Sequence, residues 1–474
     1  MNDNTRWVLN SGVMWKGRDF GSVLWIPRRR RKVYLNPSAT AAVRRLDGQT
    51  TLSDIITAQA QTFRIAPEQA AHDTLKLFDR LVADGLLTDD VQRGAPVQPD
   101  QVAPHLDYIT LALSNRCNLR CKHCFISAGE PQANELQTAD WLGFIKQLPT
   151  FKLFDVVLTG GEALLHPDLW TIIDALNSAG MAVSIFTNGL LVDEEFVERA
   201  KQALINSVQI SLDGVSAETH ERLRGARGSF DKAMRAIQWL SDAGIPVHIA
   251  VTVTQINYAE HHCFIELGKQ LGARSVNFSE IVLNGRAQRF ATELALTAEQ
   301  IAQMRLYHAC KRVTEHGIQV GEGLRPPDYA WDPFHPQKNN GGKRQMCSAA
   351  KDCCDINSTG DVLACQALWW DEFKAGNILQ TPLKDIWERA PHMTMFREMT
   401  VDQFRVCHEC EYKYDCGGGC RSLAYAAYQD LYAPSDEISC AWKKIFFKRF
   451  YEEVRPQPTI DALLAYQHSL EPTA

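Results

Sequence analysis

The sequence predicts an α/β protein in three parts: a central (β/α)6 partial barrel, an N-terminal winged-helix α+β domain and a C-terminal cysteine-rich domain. Three observations carry this. Between residues 107 and 320, six short apolar runs of strand length alternate with amphipathic helical segments. Residues 6 to about 90 break that rhythm and read as two strands, three helices and a last short strand. Nine of the fourteen cysteines then fall between Cys347 and Cys440.

In residues 1–90, Val23-Leu24-Trp25-Ile26 and Val33-Tyr34-Leu35 are the strands. Asn36-Pro37 opens a helix through Ala39–Leu46, stopped at Asp47-Gly48. A second helix runs from about Leu52 to Thr62. The third starts at Pro67, a favourable first-turn proline, carries Leu75, Phe78, Leu81 and Val82 on one face, and ends at Gly85 before Leu86-Leu87. Winged helices often bind DNA, but nothing here resembles a basic recognition helix, and peptide binding by strand addition or in a groove is equally open. The basic run Arg28-Arg29-Arg30-Arg31-Lys32 reads as a solvated hairpin or as a docking surface for an acidic peptide.

Residues 91–106, with Gly94, Pro96, Pro99 and Pro104, form a linker. The repeat at 107–320 follows, with strands Tyr108–Leu113, Asp155–Thr159, Ala182–Phe186, Ser207–Ser211, Val247–Val253 and Val276–Ser279. Amphipathic helices such as Asp168–Ser178, Glu194–Ala203 and Phe230–Ala243 lie between them. Such repeats imply a parallel sheet whose ligands sit at the C-terminal ends of the strands. Residues 321–346 are a connecting loop rich in Pro and Gly, 347–445 the cysteine-rich domain, and 446–474 a tail that carries no signal.

The net charge of −6 gives no reason to expect nucleic acid as partner. The N-terminus lacks the apolar core of a signal peptide, and no stretch approaches a membrane span. The expected location is therefore cytoplasmic. There thiols stay reduced, which makes metal binding the default role for so many cysteines.

Cys117, Cys121 and Cys124, spaced C-x3-C-x2-C, lie on the loop after the first strand of the repeat. Three thiolates are one ligand short of closing a [4Fe-4S] cluster, and an open iron can bind and activate a small molecule. Thr159-Gly160-Gly161-Glu162 closes the second strand: two glycines permit close backbone approach, and the acid can pair an ammonium group. In the C-terminal domain, Cys347, Gly360 and Cys365 precede Cys407-x2-Cys410-x5-Cys416-x3-Cys420 and Cys440. A zinc ribbon is the bland reading of such paired cysteines. Cys263 and Cys310 read as helix packing, while Cys354 is a spare thiol beside Cys353.

With His123 at the aromatic position, the loop Cys117–Cys124 resembles the signature of the radical S-adenosylmethionine (radical SAM) superfamily. The resemblance implies the family's (β/α)6 partial barrel. It also implies a cluster whose open iron is chelated by the cofactor, which is cleaved reductively to a 5′-deoxyadenosyl radical. By the same resemblance Gly160, Gly161 and Glu162 would contact the cofactor's amino group, and Ser211 and Arg224 its ribose and carboxylate. The C-terminal array resembles a SPASM domain with two auxiliary [4Fe-4S] clusters. That implies Cys347, Cys353, Cys365 and Cys420 as ligands of the nearer cluster, and Cys407, Cys410, Cys416 and Cys440 of the farther one. Cys354 remains an alternative to Cys353. Leu35–Thr40 and Leu46–Thr51 resemble the peptide chaperone of pyrroloquinoline-quinone biosynthesis, a recognition element for leader peptides.

The expectation is an enzyme that binds a precursor peptide by its leader and takes an electron from a donor such as flavodoxin or ferredoxin. It would abstract a hydrogen from a core residue and leave a carbon–carbon or thioether crosslink. Two readings compete. A sulfatase maturase is disfavoured by Gln366 where that family has an acid, and a non-catalytic peptide-binding protein would hold zinc in place of iron.

Overall fold

The structure, a computed structural model, describes residues 4–18, 21–27, 31–98, 103–321, 347–457 and 459–471. The N-terminal unit contains β1 (Val8–Leu9), β2 (Met14–Arg18), β3 (Gly21–Ile26) and β4 (Arg31–Leu35). Helices α1 (Pro37–Val43), α2 (Leu52–Phe63) and α3 (Pro67–Ala83) follow, then β5 (Leu87–Thr88). Strands β2, β3 and β4 form an antiparallel sheet in that order, and β5 returns to pair with β1. The helix starts are encoded locally. Asn36 accepts the Ala39 N–H at the head of α1, and Thr51 and Asp54 close a capping box at α2. Two strands escaped the sequence reading, because β1 has two residues and Met-Trp-Lys-Gly-Arg in β2 lacks strand composition. Val82 is a correction. The buried stripe of α3 is Ala70, Thr74, Phe78 and Leu81, and Val82, one residue past it, is 38% exposed.

Side-chain alternation splits the three-stranded sheet into two covered faces. Trp15, Leu24, Ile26, Val33 and Leu35 meet the unit's own helices. Val23 and Trp25, with Met14, pack on Phe154, Ala182 and Tyr108 of the central domain. This is why Gly21–Ile26 is buried throughout and reads as an unbroken apolar run. Three cations stand on the docked face. Lys16 and Arg18 converge on Asp107, and Lys32 donates to the Tyr108 hydroxyl at 2.7 Å with its ammonium 4.7 Å from the centre of the Phe154 ring. Lys32 therefore faces the barrel and is not part of a solvated basic strip. Arg28–Arg30 lie outside the described residues.

The central domain is one side of a ten-stranded sheet. Strands β6 (Tyr108–Ala112), β7 (Asp155–Thr159), β8 (Val183–Thr187), β9 (Ile205–Ser211), β10 (Val247–Val253) and β11 (Ser275–Glu280) lie side by side in chain order, all parallel. Their positions follow the alternation read from sequence within about two residues at each end. A seventh parallel strand, β12 (Gln319–Gly321), extends one edge. At the other edge β13 (Cys353–Ile356) pairs in parallel with β6, and β14 (Asp361–Leu363) and β15 (Gly376–Asn377) continue antiparallel. The cysteine-rich segment is thus grafted directly onto the strand that leads to the three-cysteine loop. Of the connecting loop 321–346, only Gly321 is described. No helix among the described residues is long and apolar enough to cross a membrane.

Beyond residue 446 the described residues are mostly helical. Helix Glu437–Arg449 packs Phe446 and Phe447 inward, and both it and Ile460–His468 lie against helix Ala298–Thr314. Helix Ala298–Thr314 buries Cys310, as expected, whereas Cys263 is exposed and sits 3.3 Å from His262 Nε2. Position one of helix Cys263–Gln270 explains the difference, since its inward face begins at Phe264.

Beside that helix, His261 and His308 are fully buried with ring centroids 5.2 Å apart, and none of their ring nitrogens has a hydrogen-bond partner among the described residues. Burial holds His261 down at about 3 and His308 well below the usual imidazole value. Below pH 6.5 the unfolded chain takes up protons that the folded one refuses, so stability is complete above that pH and falls as pH drops. His261 removes about 2 kcal/mol by pH 5, from roughly 1.4 kcal/mol per pH unit, and His308 acts in the same direction. Urea midpoints of wild type and His308→Leu at pH 7.5 and pH 5 check this: the variant loses less on acidification.

Candidate active site

The loop after β6 is built on itself and on its neighbours. The Cys117 N–H donates to Gly129 O, the Gly129 N–H to Asn115 O, and Ser114 Oγ to Glu135 at 2.7 Å. Gly160 and Gly161 sit against it: a Cβ built on Gly161 would stand 2.4 Å from Arg116 O, and one on Gly160 2.3 Å from Ser114 O. Their N-terminal neighbour loop, then, is what requires glycine here. Gly161→Ala should push the turn off the loop at a cost of about 1–3 kcal/mol. The measurements are the urea midpoint and the iron held by the loop after anaerobic reconstitution.

The Glu162 carboxylate is buried and accepts from the Leu164 N–H, the Thr187 hydroxyl and the Asn188 N–H at 3.0, 2.6 and 2.8 Å. Burial raises its pKa, with the three donors opposing. Its oxygens thus fasten the ends of β7 and β8 together. Ser211, half-buried, ends β9.

Arg224 is not on the surface. It ends the helix Ala217–Arg224, is buried, and places Nη2 2.6 Å from Asp213 Oδ2 and Nη1 3.7 Å from Cys121 Sγ, while Nε has no partner among the described residues. His123 Nε2 stands 3.2 Å from the same Asp213 oxygen. Asp213 is fully buried; burial alone would raise its carboxyl, but Arg224 and His123 hold it far below the ordinary range. Sequence reading gave Asp213 no role, although it lies two residues past β9. Arg286 was also missed. Its N–H donates to Cys124 O, and its guanidinium donates to Cys121 O at 3.1 Å and Ala128 O at 2.5 Å. Its only cue in the sequence is Asn284-Gly285 before it, where a Cβ on Gly285 would meet Phe125 O at 2.5 Å.

The three loop sulfurs share one hydrogen-bonding pattern. The Leu119 N–H donates to Cys117 Sγ at 3.4 Å, the Ala128 N–H to Cys124 Sγ at 3.3 Å, and Arg224 to Cys121 Sγ. One N–H per sulfur suits thiolates held as soft metal ligands. Burial pushes the Cys117 thiol up to about 11, so loading a metal must release protons.

In the C-terminal domain the pleat of β13 separates the adjacent thiols. Cys354 is fully buried in the core, and Cys353 faces the other way, 3.5 Å from Ser348 Oγ. Asp355, on the same face as Cys353, accepts the Gln366 N–H next to Cys365. The Cys365 thiol is pushed well up, by burial first and then by Asp355, Cys347 and Cys420. The Cys407 thiol rises to about 11 through burial and then Cys440, Cys416 and Cys410, with Arg421 opposing. The cysteines therefore gather as two neighbourhoods. Arg421, buried and stacked 4.0 Å over Phe404, feels Cys407 and Cys416 of one and Cys347 and Cys420 of the other. It is a further residue that spacing did not reveal. Among the described residues no three His, Cys, Asp or Glu side chains converge on one metal ion, a convergence that a four-iron cluster does not require of its ligands.

Comparison with known proteins agrees with this architecture. Family models match at residues 111–267 (Radical SAM superfamily), 21–87 (coenzyme PQQ synthesis protein D) and 347–411 (SPASM, an iron-sulfur cluster-binding domain). The mycofactocin maturase MftC of Mycobacterium tuberculosis (strain CDC 1551 / Oshkosh) is 32% identical over 336 residues, 69% of this chain and 82% of that protein. The chain belongs to the radical SAM superfamily. Another relative of this radical SAM enzyme is the AdoMet-dependent heme synthase of Methanosarcina barkeri, 32% identical over 69% of this chain and 94% of that one. In fold it is similar to Streptococcus suis SuiB bound to precursor peptide SuiA, with TM-score 0.66 and 15% identity over 91% of this chain and 99% of the other.

Proposed function

We propose that this radical SAM enzyme modifies a ribosomally made precursor peptide, and that the product is an oxidative carbon–carbon or thioether crosslink. The observation that carries the reading is the N-terminal unit, matched to the coenzyme PQQ synthesis protein D family and docked on the barrel through a buried face. The maturase relatives, MftC and the sporulation killing factor maturation protein SkfB of Bacillus subtilis, support it.

Cys117, Cys121 and Cys124 would hold the cluster that S-adenosylmethionine completes, and together these groups supply a 5′-deoxyadenosyl radical. Gly160, Gly161, Ser211 and the spare Nε–H of Arg224 would line the cofactor's place, with Glu162 and His123 fixing the loops around it. The two cysteine neighbourhoods support the auxiliary ligand sets Cys347, Cys353, Cys365, Cys420 and Cys407, Cys410, Cys416, Cys440. Cys353 is preferred to Cys354 because its side chain leaves the core. A reduced cytoplasm, an external flavodoxin or ferredoxin, and neither nucleic acid nor membrane complete the reading.

A tetrapyrrole substrate is the second reading, favoured by the heme synthase relative. Anaerobic reconstitution should give about 12 iron atoms per chain from three four-iron clusters, and no tightly bound zinc. Co-expression with a candidate precursor peptide should shift the peptide's mass by the loss of two hydrogens. A peptide of unchanged mass, together with conversion of an added tetrapyrrole, would reverse the choice.

A further inference from the structure

The N–H donors to the three loop sulfurs differ in kind. Cys117 and Cys124 take theirs from the backbone of their own loop, which no substitution short of proline removes. Cys121 takes its donor from a side chain 103 residues away, the Arg224 guanidinium. That guanidinium is not free to leave. Asp213 holds Nη2 at 2.6 Å and is itself held: its Oδ1 accepts the Thr252 N–H at 2.8 Å and its backbone O accepts Asn257 Nδ2 at 3.0 Å. Its backbone N–H donates to His220 Nδ1 at 3.1 Å. The result is a buried cation, fixed from the end of β9 and aimed at one cysteine sulfur.

We propose that Arg224, positioned by Asp213, sets the reduction potential of the cluster held by Cys117, Cys121 and Cys124. This rests on the reading of that loop as the cluster site. Hydrogen bonds to cysteine sulfur and nearby positive charge draw electron density from the cluster and stabilise its reduced form. The electron delivered to the loop is therefore easier to accept with Arg224 in place than without it. This role is separate from any contact Arg224 makes with the cofactor, and it acts before the cofactor binds.

The test uses the full chain, reconstituted anaerobically without S-adenosylmethionine. It is titrated with a low-potential chemical reductant, one electron per cluster, and followed by electron paramagnetic resonance. The signal missing from the chain with all three loop cysteines replaced by Ala identifies the loop cluster. Arg224→Gln should keep about 12 irons. It should reach half reduction only at about a tenfold higher ratio of reduced to oxidised reductant, a shift of about 59 mV to the negative for a one-electron couple. The auxiliary signals should stay where they are. An unchanged midpoint in an iron-loaded Arg224→Gln overturns the proposal. Should that variant fail to hold the loop cluster, Arg224→Gln combined with Asp213→Asn, which leaves no unpaired buried anion, decides: a negative shift upholds the proposal and an unshifted midpoint overturns it. Failure of the underlying reading looks different, because wild type itself would then carry no iron at the loop.

Discussion

Replacing Cys117, Cys121 and Cys124 together by Ala is expected to abolish 5′-deoxyadenosine formation and to lower bound iron from about 12 to about eight atoms per chain. The two parts of this result come from different features. Loss of the product follows because the loop carries its three cysteines at the C-terminal end of a parallel sheet, each sulfur with an N–H donor. Survival of eight irons follows because the other two cysteine neighbourhoods are built from the hairpin β13–β14 and the segment from Cys407 to Cys440, not from the loop. The link between them is the pairing of β13 with β6, which uses backbone hydrogen bonds alone and is indifferent to the cysteine side chains. Iron analysis and chromatography of the reductant-driven reaction read both parts. Even loss of iron across all sites, or 5′-deoxyadenosine at the wild-type rate, would contradict the assignment of the loop.

The central sheet was legible because its signal is local. Strand β7 has an apolar centre and is buried but for its last residue, and β6 and β10 alternate buried with half-buried positions, as strands with one less covered face do. The cysteine loop was legible because its ligands are neighbours in sequence. What the sequence hid depends on approach between distant segments. Asp213 and Arg286 gain their meaning only when β9 and the turn after β11 close on the loop after β6. The surroundings of Arg224 were hidden too, because nothing near it in sequence shows that Asp213 and Cys121 surround it. The Gly160-Gly161 pair suggested room for a ligand, but each glycine is first required by a carbonyl of the neighbouring loop. Cys353 and Cys354 are indistinguishable as letters and opposite as structure, once pairing with β6 fixes the pleat.

The docking of the N-terminal unit is the other part that spacing could not supply, and it yields the second large effect. Asp107 is expected to be worth more than any other single side chain at that interface. Its side chain is 4% exposed, with Lys16 Nζ at 2.7 Å and Arg18 Nη2 at 2.6 Å, and those side chains are 2% and 9% exposed. Burial by itself would raise the Asp107 carboxyl; Lys16 and Arg18 outweigh it and hold the group ionised below the usual range. Asp107→Ala removes the carboxylate on which Lys16 and Arg18 both converge, and removing one partner from such a buried set costs about 3–5 kcal/mol. That loss should appear as a lower urea midpoint, and as faster trypsin cleavage in the linker as the unit undocks. Lys16→Met, Arg18→Met and Asp107→Leu combined remove the charges together. Since well-packed apolar replacements of a buried ionic set are often neutral or stabilising, the triple variant should recover most of the stability that Asp107→Ala loses. A single variant as stable as wild type would mean that water reaches Lys16 and Arg18. The docked face would then be held by the apolar cluster around Val23, Trp25 and Phe154 and by Lys32 on Tyr108.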